Sequence, residues 1–136
     1  MKKGIFILMI VLGFMGSLQA QTIRNSSNST IATIDDKGIV RNTSNSVIAK
    51  IDDNGVIRDN SNQHIGKIES DGTVRDKNNF CLGKIESSCT VRDRSNHMIG
   101  KVESDGTVRD SNNHAIGKAQ GVPMRYTALF FFFNFF

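Results

Sequence analysis

The octapeptide "ESDGTVRD" occupies Glu69–Asp76 and recurs at Glu103–Asp110, while an altered copy, "ESSCTVRD", occupies Glu86–Asp93. Self-comparison extends the likeness on both sides and gives a period of 17 residues between Thr22 and Val122. Repeats of fixed length indicate units that bury a shared core against their neighbours. The sixth unit loses the pattern near its end, and the units begin at Thr22, Ile39, Val56, Thr73, Thr90 and Thr107.

The residue types within each unit predict β-strands. The second, tenth and thirteenth places are apolar and nearly all β-branched, which favours strands over helices. The third place is always arginine and the seventh is always asparagine: Arg24, Arg41, Arg58, Arg75, Arg92 and Arg109; Asn28, Asn45, Asn62, Asn79, Asn96 and Asn113. The sequence therefore predicts an all-β fold built from repeated hairpins.

The Asp-Gly pair inside the octapeptide determines how the two strands beside it face each other. A two-residue loop would place Ile68 opposite Arg75 and mix apolar with charged residues on one face. A three-residue loop "SDG", with Gly72 in a left-handed conformation, instead pairs Ile68 with Val74 and Lys67 with Arg75. We expect the three-residue loop, because it makes one face apolar and the other charged.

Two further features complete the predicted unit. The tenth and thirteenth places are three residues apart, so a regular strand would point them to opposite faces. We therefore expect a bulge or a close backbone approach near the eleventh place, which is glycine or alanine: Ala32, Ala49, Gly66, Gly83, Gly100 and Gly117. At the other end of the unit, the constant asparagine suits a left-handed turn that its own side chain helps to close.

Neighbouring units must share a core, because a single hairpin is marginally stable in water. An open β-solenoid and a ring of hairpins both satisfy this need. The stretch "MRYTALFFFFNFF" after Pro123 favours the ring, because it holds six of the nine phenylalanines in its last seven residues. So many exposed aromatic rings would promote aggregation. We therefore predict that residues 123–136 plug the axis of a ring formed by residues 21–122.

The phrase "IGKIESDGTVRD", the period and the Phe-rich end together resemble the five-fold β-flower proteins, a family of small exported bacterial proteins. The resemblance covers essentially the whole chain after residue 20 and implies a ring of β-hairpins. The family has no established activity, so the resemblance implies none. The chain has five turns of the Asp-Gly type but six arginine-bearing strands. If five hairpins form, the first strand (Ile23–Asn25) and the last (Ile116–Ala119) either pair with each other or lie outside the symmetry.

Residues 1–20 have the form of an export signal. Lys2 and Lys3 precede the apolar run Ile5–Phe14, and small residues lead to a cleavage site before Gln21. The run is too short to span a bilayer, and no cysteine follows it that would carry a lipid anchor. We expect a soluble chain exported to the periplasm, the cell surface or the medium, without a transmembrane span.

The charge balance gives little information about a partner. Loss of Lys2 and Lys3 lowers the formal net charge from +4 to about +2. A weak positive charge, interspersed with acids and placed outside the cytoplasm, argues against nucleic acid. The partner is therefore unknown, and self-association and an envelope partner both stay open.

No catalytic, cofactor-binding or metal-binding residue is predicted, and no cofactor is implied. The acidic loop Asp52–Gly55 offers too few oxygens for calcium and is interpreted as a turn. His64, His97 and His114 lie near the asparagine turns without further ligands or a nucleophile, so we interpret them as surface residues. Solvated pairing with acids across each hairpin explains the arginines, and the predicted partners are Glu69, Glu86 and Glu103.

The only two cysteines, Cys81 and Cys89, bracket one predicted strand. Eight residues at about 3.3 Å each separate them by more than a disulfide spans, so we predict no bridge between them, although export favours oxidation. Cys89 stands where the other turns have glycine, and its side chain should cost about 1–2 kcal/mol. Sequons for glycosylation begin at Asn25, Asn28 and Asn42, and we interpret these residues as turn formers.

These observations favour a non-enzymatic structural or binding module of the bacterial envelope or surface. Its turns would form the variable rim at which ligands bind. The alternative is an interaction protein that docks on a membrane or a partner through its Phe-rich C-terminus.

Overall fold

The computed structural model describes residues 21–136, so the predicted export signal lies outside the described residues. These residues form twelve short strands followed by one helix, α1 (Met124–Phe132). The strands are β1 (Thr22–Asn25), β2 (Thr30–Ile34), β3 (Ile39–Arg41), β4 (Val47–Ile51), β5 (Val56–Asp59), β6 (His64–Ile68), β7 (Thr73–Asp76), β8 (Cys81–Ile85), β9 (Thr90–Asp93), β10 (Met98–Val102), β11 (Thr107–Asp110) and β12 (Ala115–Gln120).

The strands form one closed antiparallel barrel in which each strand pairs with its neighbours along the chain. Closure comes from β1 and β12, which place Thr22 opposite Gln120 and Asn25 opposite Gly117. The predicted ring of hairpin units is therefore confirmed, and of the two arrangements for the chain ends the structure has the paired one. Six arginine-bearing strands are present, but only five hairpins are continuous at the Asp-Gly side, because the sixth is the seam between β1 and β12.

The turns at the Asp-Gly side, called here the glycine turns, have the predicted register. Lys67 lies opposite Arg75 and Ile68 lies opposite Val74. The Gly72 N–H donates to the Glu69 carbonyl at 2.9 Å, and Gly72 has a φ of +94°. A left-handed residue in the third position of the loop is what a type I turn with a bulge requires. The result is an apolar face toward the barrel interior and a charged face toward solvent.

The bulge lies one place before the predicted glycine or alanine. Between β9 and β10 the register steps from Met98–Arg92 to Gly100–Val91, which leaves Ile99 as the extra residue. The same shift occurs in the other hairpins that end in an asparagine turn. The bulge absorbs one residue, so the thirteenth-place side chains point inward with those of the second place, as their burial shows.

The turns at the opposite side, called here the asparagine turns, correct one detail of the prediction. The constant asparagines are left-handed as expected, with φ between 65° and 71°. The side chain that closes each turn, however, belongs to the residue three places earlier. Asp76 Oδ1 accepts the N–H groups of Asn78 (2.9 Å) and Phe80 (3.0 Å). A carboxylate or amide at this place satisfies two N–H groups at once, which the asparagine itself does not do.

The C-terminal segment fills the barrel, which confirms the predicted plug. Helix α1 begins after Pro123, whose carbonyl accepts the N–H of Thr127 at 3.1 Å. The Arg125 guanidinium donates to the Glu69 carbonyl at 2.9 Å, so the helix enters from the glycine-turn end. Thr127, Ala128 and Leu129 are fully buried. The segment therefore runs along the axis toward the asparagine turns.

The glycines of the eleventh place make room for the plug. A Cβ atom at any of them would overlap or crowd a phenylalanine ring, and the pairs are Gly66 with Phe135, Gly83 with Phe133, Gly100 with Phe132, and Gly117 with Phe131. Close packing in protein interiors tolerates no such overlap. A Cβ at each of the four would also meet a backbone carbonyl of the paired strand, so the aromatic ring and the strand together favour glycine there.

Candidate functional site

The outer face of the barrel carries the arginines of the third place. Arg58, Arg75 and Arg109 each donate through Nε to an acid across the hairpin, Asp52 (3.0 Å), Glu69 (3.1 Å) and Glu103 (3.0 Å) respectively. Arg92 pairs with Glu86 at 3.3 Å. The predicted pairing with Glu69, Glu86 and Glu103 is confirmed. Within residues 21–136, the structure shows no ion pair for Arg24 or Arg41. Where the other hairpins have the pairing acid, the strand beside Arg24 has the neutral Gln120. The strand beside Arg41 has Asp35 at this place, whose carboxylate accepts an N–H group of its own turn instead.

The arginines also tie each glycine-turn hairpin to the adjoining asparagine turn. Nη1 of Arg75 donates to the Asn79 carbonyl at 3.2 Å, and Arg109 makes the equivalent bond to Asn113 at 3.1 Å. A guanidinium that bridges a carboxylate and a turn carbonyl is held in place on both sides. The third-place arginines thus bond mainly to carboxylates and carbonyls of the barrel itself.

The three histidines lie on the asparagine-turn rim. His97 Nδ1 is 3.5 Å from Asp93 Oδ2, and His114 Nδ1 is 3.6 Å from Asp110 Oδ2. Both imidazoles are largely exposed, and His64 is exposed as well. The described part of the chain contains no group of three or more potential ligands for a metal ion. The structure therefore places His97 and His114 beside turn carboxylates and, in the described residues, gathers the histidines into no metal-binding group.

The two cysteines are free thiols, one at the start of β8 and the other in the turn that follows β8. Cys81 is exposed at the asparagine-turn end, whereas Cys89 is buried in a glycine turn with a φ of +63°. Burial raises the pKa of the Cys89 thiol, which disfavours the reactive thiolate. The prediction that no bridge joins these residues agrees with their places in the structure.

At the glycine-turn rim, side-chain oxygens accept hydrogen bonds from N–H groups of their own turns. Asp71 Oδ1 accepts the Thr73 N–H at 2.9 Å, and this bond lowers the pKa of the Asp71 carboxyl. Asn54 makes the corresponding bond to Val56 at 3.3 Å. An open depression of about 590 Å³ lies between two of these turns, bordered by Asp36, Lys37, Lys50, Asp52, Asp53 and Asn54. In the Asp52–Gly55 loop, the ion pair to Arg58 thus accounts for Asp52, and Asn54 makes the turn bond.

The sequons are also turn positions. The side-chain oxygens of Asn25 and Asn42 each accept two N–H groups of their own turns at 2.9–3.0 Å. Asn28 is left-handed and lies in the turn that Asn25 closes. Attachment of a glycan to Asn25 or Asn42 would occupy the amide that closes the turn.

The asparagine-turn end also holds the largest depression described here, with a volume of about 810 Å³. Its lining combines apolar side chains, called the floor, with charged ones, called the border, and also includes Asn78 and Asn134. The floor consists of the bulge residues Ile65, Leu82 and Ile99 and the plug residues Phe132, Phe133 and Phe135, and the border consists of Asp59, Asp76, Asp93 and Lys77. The backbone N–H of His97 donates to Asp93 and lowers the pKa of that carboxyl. An apolar concavity with a few polar groups at its edge is the usual form of a ligand site.

Sequence reasoning did not single out this depression. The fourth place is Asn25 and Asn42 in the first two units but aspartate in the others, namely Asp59, Asp76, Asp93 and Asp110. The eleventh place changes at the same point, from alanine to glycine. This joint change was the available signal that the first two units differ from the other four.

Comparisons with known proteins agree with this architecture. In the described residues, no helix is both long enough and apolar enough to cross a bilayer. Neither the curated proteins nor the solved structures contain a significant match to this sequence. A family model described as "5-fold beta-flower protein" matches residues 14–136. The match covers the repeats and the aromatic plug alike, and the chain therefore belongs to the 5-fold β-flower protein family.

Proposed function

We propose that the protein is a non-enzymatic module exported to the bacterial envelope or surface, where it acts as a structural or binding element. The observation that supports this proposal is the filled barrel. Helix α1 and the phenylalanines after it occupy the interior, so contacts with other molecules fall to the outer wall and the two rims. On the wall, most arginines are engaged with acids of the same hairpin. The rims carry the residues that differ between units and offer a rigid frame for binding.

The alternative is docking on a membrane or a partner through the Phe-rich C-terminus. The rings of Phe131, Phe132, Phe133 and Phe135 lie against the eleventh-place glycines. Docking through these rings would remove them from the barrel and leave the eleventh-place glycines without the rings that cover them. We therefore place the binding role on the rim and not on a released tail.

Export is tested by fractionation of bacteria that express the complete chain. A matched variant replaces Lys2 and Lys3 with glutamate, because the positive n-region is the part of a signal that charge reversal disables. We expect the parent protein in the periplasm or the medium with Gln21 as its first residue by mass spectrometry, and the variant unprocessed in the cytoplasm. Recovery of the parent chain unprocessed in the cytoplasm would contradict the proposal.

A further inference from the structure

We propose that the depression at the asparagine-turn end binds an organic ammonium compound with an apolar tail, a cationic amphiphile. This inference rests on the proposed function, because it names the class of ligand that the rim of the module would take. It is carried by the coincidence of an apolar floor and an acidic border in one concavity of about 810 Å³.

The floor is suited to an apolar chain. Ile65, Leu82 and Ile99 are bulge residues that remain half-buried, so the barrel wall leaves part of each side chain uncovered. Phe132 and Phe135 are half-buried beside them. Covering such surface stabilises a complex by about 25 cal/mol per Å² of apolar area removed from water. The apolar tail of the ligand would supply that cover.

The aspartates of the border favour a ligand with a positive charge. Asp59 and Asp76 use Oδ1 for turn N–H groups at 2.9–3.0 Å. Within residues 21–136, neither carboxylate forms an ion pair with a side chain. Among the described residues that line the depression, Lys77 stands against three aspartates, of which Asp93 has His97 beside it. A cation above the floor would therefore be attracted, and an anion repelled.

The acidic border of the depression comes from the third, fourth and fifth units. The first two units carry Asn25 and Asn42 at this place, whereas the other four carry aspartate. Both amides close their turns with the same pair of bonds that the aspartates make. Turn formation therefore requires an oxygen acceptor at this place, but it does not require a negative charge.

Because asparagine and aspartate make the same turn bonds at this place, an aspartate-to-asparagine variant should keep the fold. Replacement of Asp59 and Asp76 by asparagine removes two charges and preserves the acceptor, as Asn25 and Asn42 do in their own turns. The matched control is Asp110→Asn, which removes a charge at the same place of the sixth unit, outside the border of the depression. Circular dichroism and thermal unfolding of the three proteins check that their folds are alike.

The probe is octyltrimethylammonium below its micelle concentration, compared with octyl glucoside and octanoate, which carry the same tail with a neutral and a negative head. Methyl NMR spectra of the purified protein follow the signals of Ile65, Leu82 and Ile99. We expect saturable shifts at these methyl groups with the ammonium compound. We also expect about three- to tenfold weaker binding to the variant with both Asp59→Asn and Asp76→Asn, and unchanged binding to Asp110→Asn.

Several outcomes would overturn the inference. These are equal or stronger binding of the glucoside or octanoate, shifts confined to other parts of the barrel, and equal loss in the Asp110→Asn control. Concentration-dependent shifts of the same methyl groups without ligand, together with a doubled mass in solution, would assign the depression to a second copy of the chain instead. None of these results affects the fractionation test, so failure of this inference is distinguishable from failure of the proposed export.

Discussion

At the scale of single residues, the barrel is held by side chains that bind their own turns. Asp71 and Asp105 each accept an N–H group two residues later in the chain, from Thr73 and Thr107, both at 2.9 Å. These bonds lower the pKa of both carboxyls below the ordinary value of 3.8. Ionised carboxylates in the glycine turns therefore favour the folded state at neutral pH.

The sign of the pH effect follows from this direction. A carboxyl whose pKa is lower in the folded state contributes stability above its unfolded pKa, and the contribution is lost as the pH falls through the folded pKa. We expect the free energy of unfolding in urea to fall below about pH 4, and to fall less in a protein with Asp71→Asn and Asp105→Asn. Ser70→Ala, an exposed change beside the same turn, serves as the control. An equal fall in the double variant and the parent would show that these turns are not responsible.

Cys89 shows how far a glycine turn can adapt. The four glycines at this place have φ between 81° and 94°, and a Cβ there would overlap a carbonyl one repeat unit further along the chain. At Cys89 φ is 63°, which lies in the left-handed region that other residues adopt. The turn keeps its bonds, with the Cys89 N–H at 2.8 Å from the Glu86 carbonyl. The turn thus accommodates a side chain through a change in φ while its hydrogen bonds are kept.

At the scale of elements, the main finding is that strand glycines and plug phenylalanines fit each other in pairs. Gly66 faces Phe135, while Gly117 of another unit faces Phe131. We expect Gly66→Ala to destabilise the fold by about 1–3 kcal/mol through overpacking. Addition of Phe135→Leu should recover part of this loss, because the smaller side chain leaves room for the methyl group.

A double-mutant cycle measured by urea unfolding tests this pairing. Residues in contact typically show a coupling energy of about 0.5–3 kcal/mol, whereas distant residues are additive. The control cycle combines Gly66→Ala with Phe131→Leu, since Phe131 lies on a different glycine. Coupling energies of equal size in both cycles would mean that the phenylalanines fill the barrel without pairing with particular glycines.

The elements also show which features were predictable from sequence. The glycine-turn register was predicted correctly. It follows from local turn chemistry and from the need to place Ile68 and Val74 on one face and their charged neighbours on the other. The conformation of the Phe-rich segment was not predictable, since phenylalanine favours strands. Inside a closed barrel no strand edge is left to pair with, so the segment satisfies its backbone groups by forming α1.

At the scale of the whole molecule, the number of units depends on contacts far apart in the chain. The sequence has five glycine turns, and only the pairing of β1 with β12 adds a sixth unit. The depression has the same origin, because its border comes from three units and its floor partly from the C-terminus. The repeat pattern shows each unit but not which units meet around the plug, and this is why the candidate site was missed.

The plug should also determine whether the barrel exists at all. Leu129 is fully buried and Phe133 is 7% exposed, so the segment supplies the centre of the core. A buried aromatic side chain removes roughly 150–250 Å² from water, and the Ile and Val side chains of the strands share one core cluster with the plug. We therefore expect that a chain lacking Leu129–Phe136 loses its β-type circular dichroism spectrum and aggregates. The exposed change Asn134→Ala, in the same segment, should leave the fold intact. A truncated chain that remains monomeric with an unchanged spectrum would refute the plug and favour the docking role of the Phe-rich end.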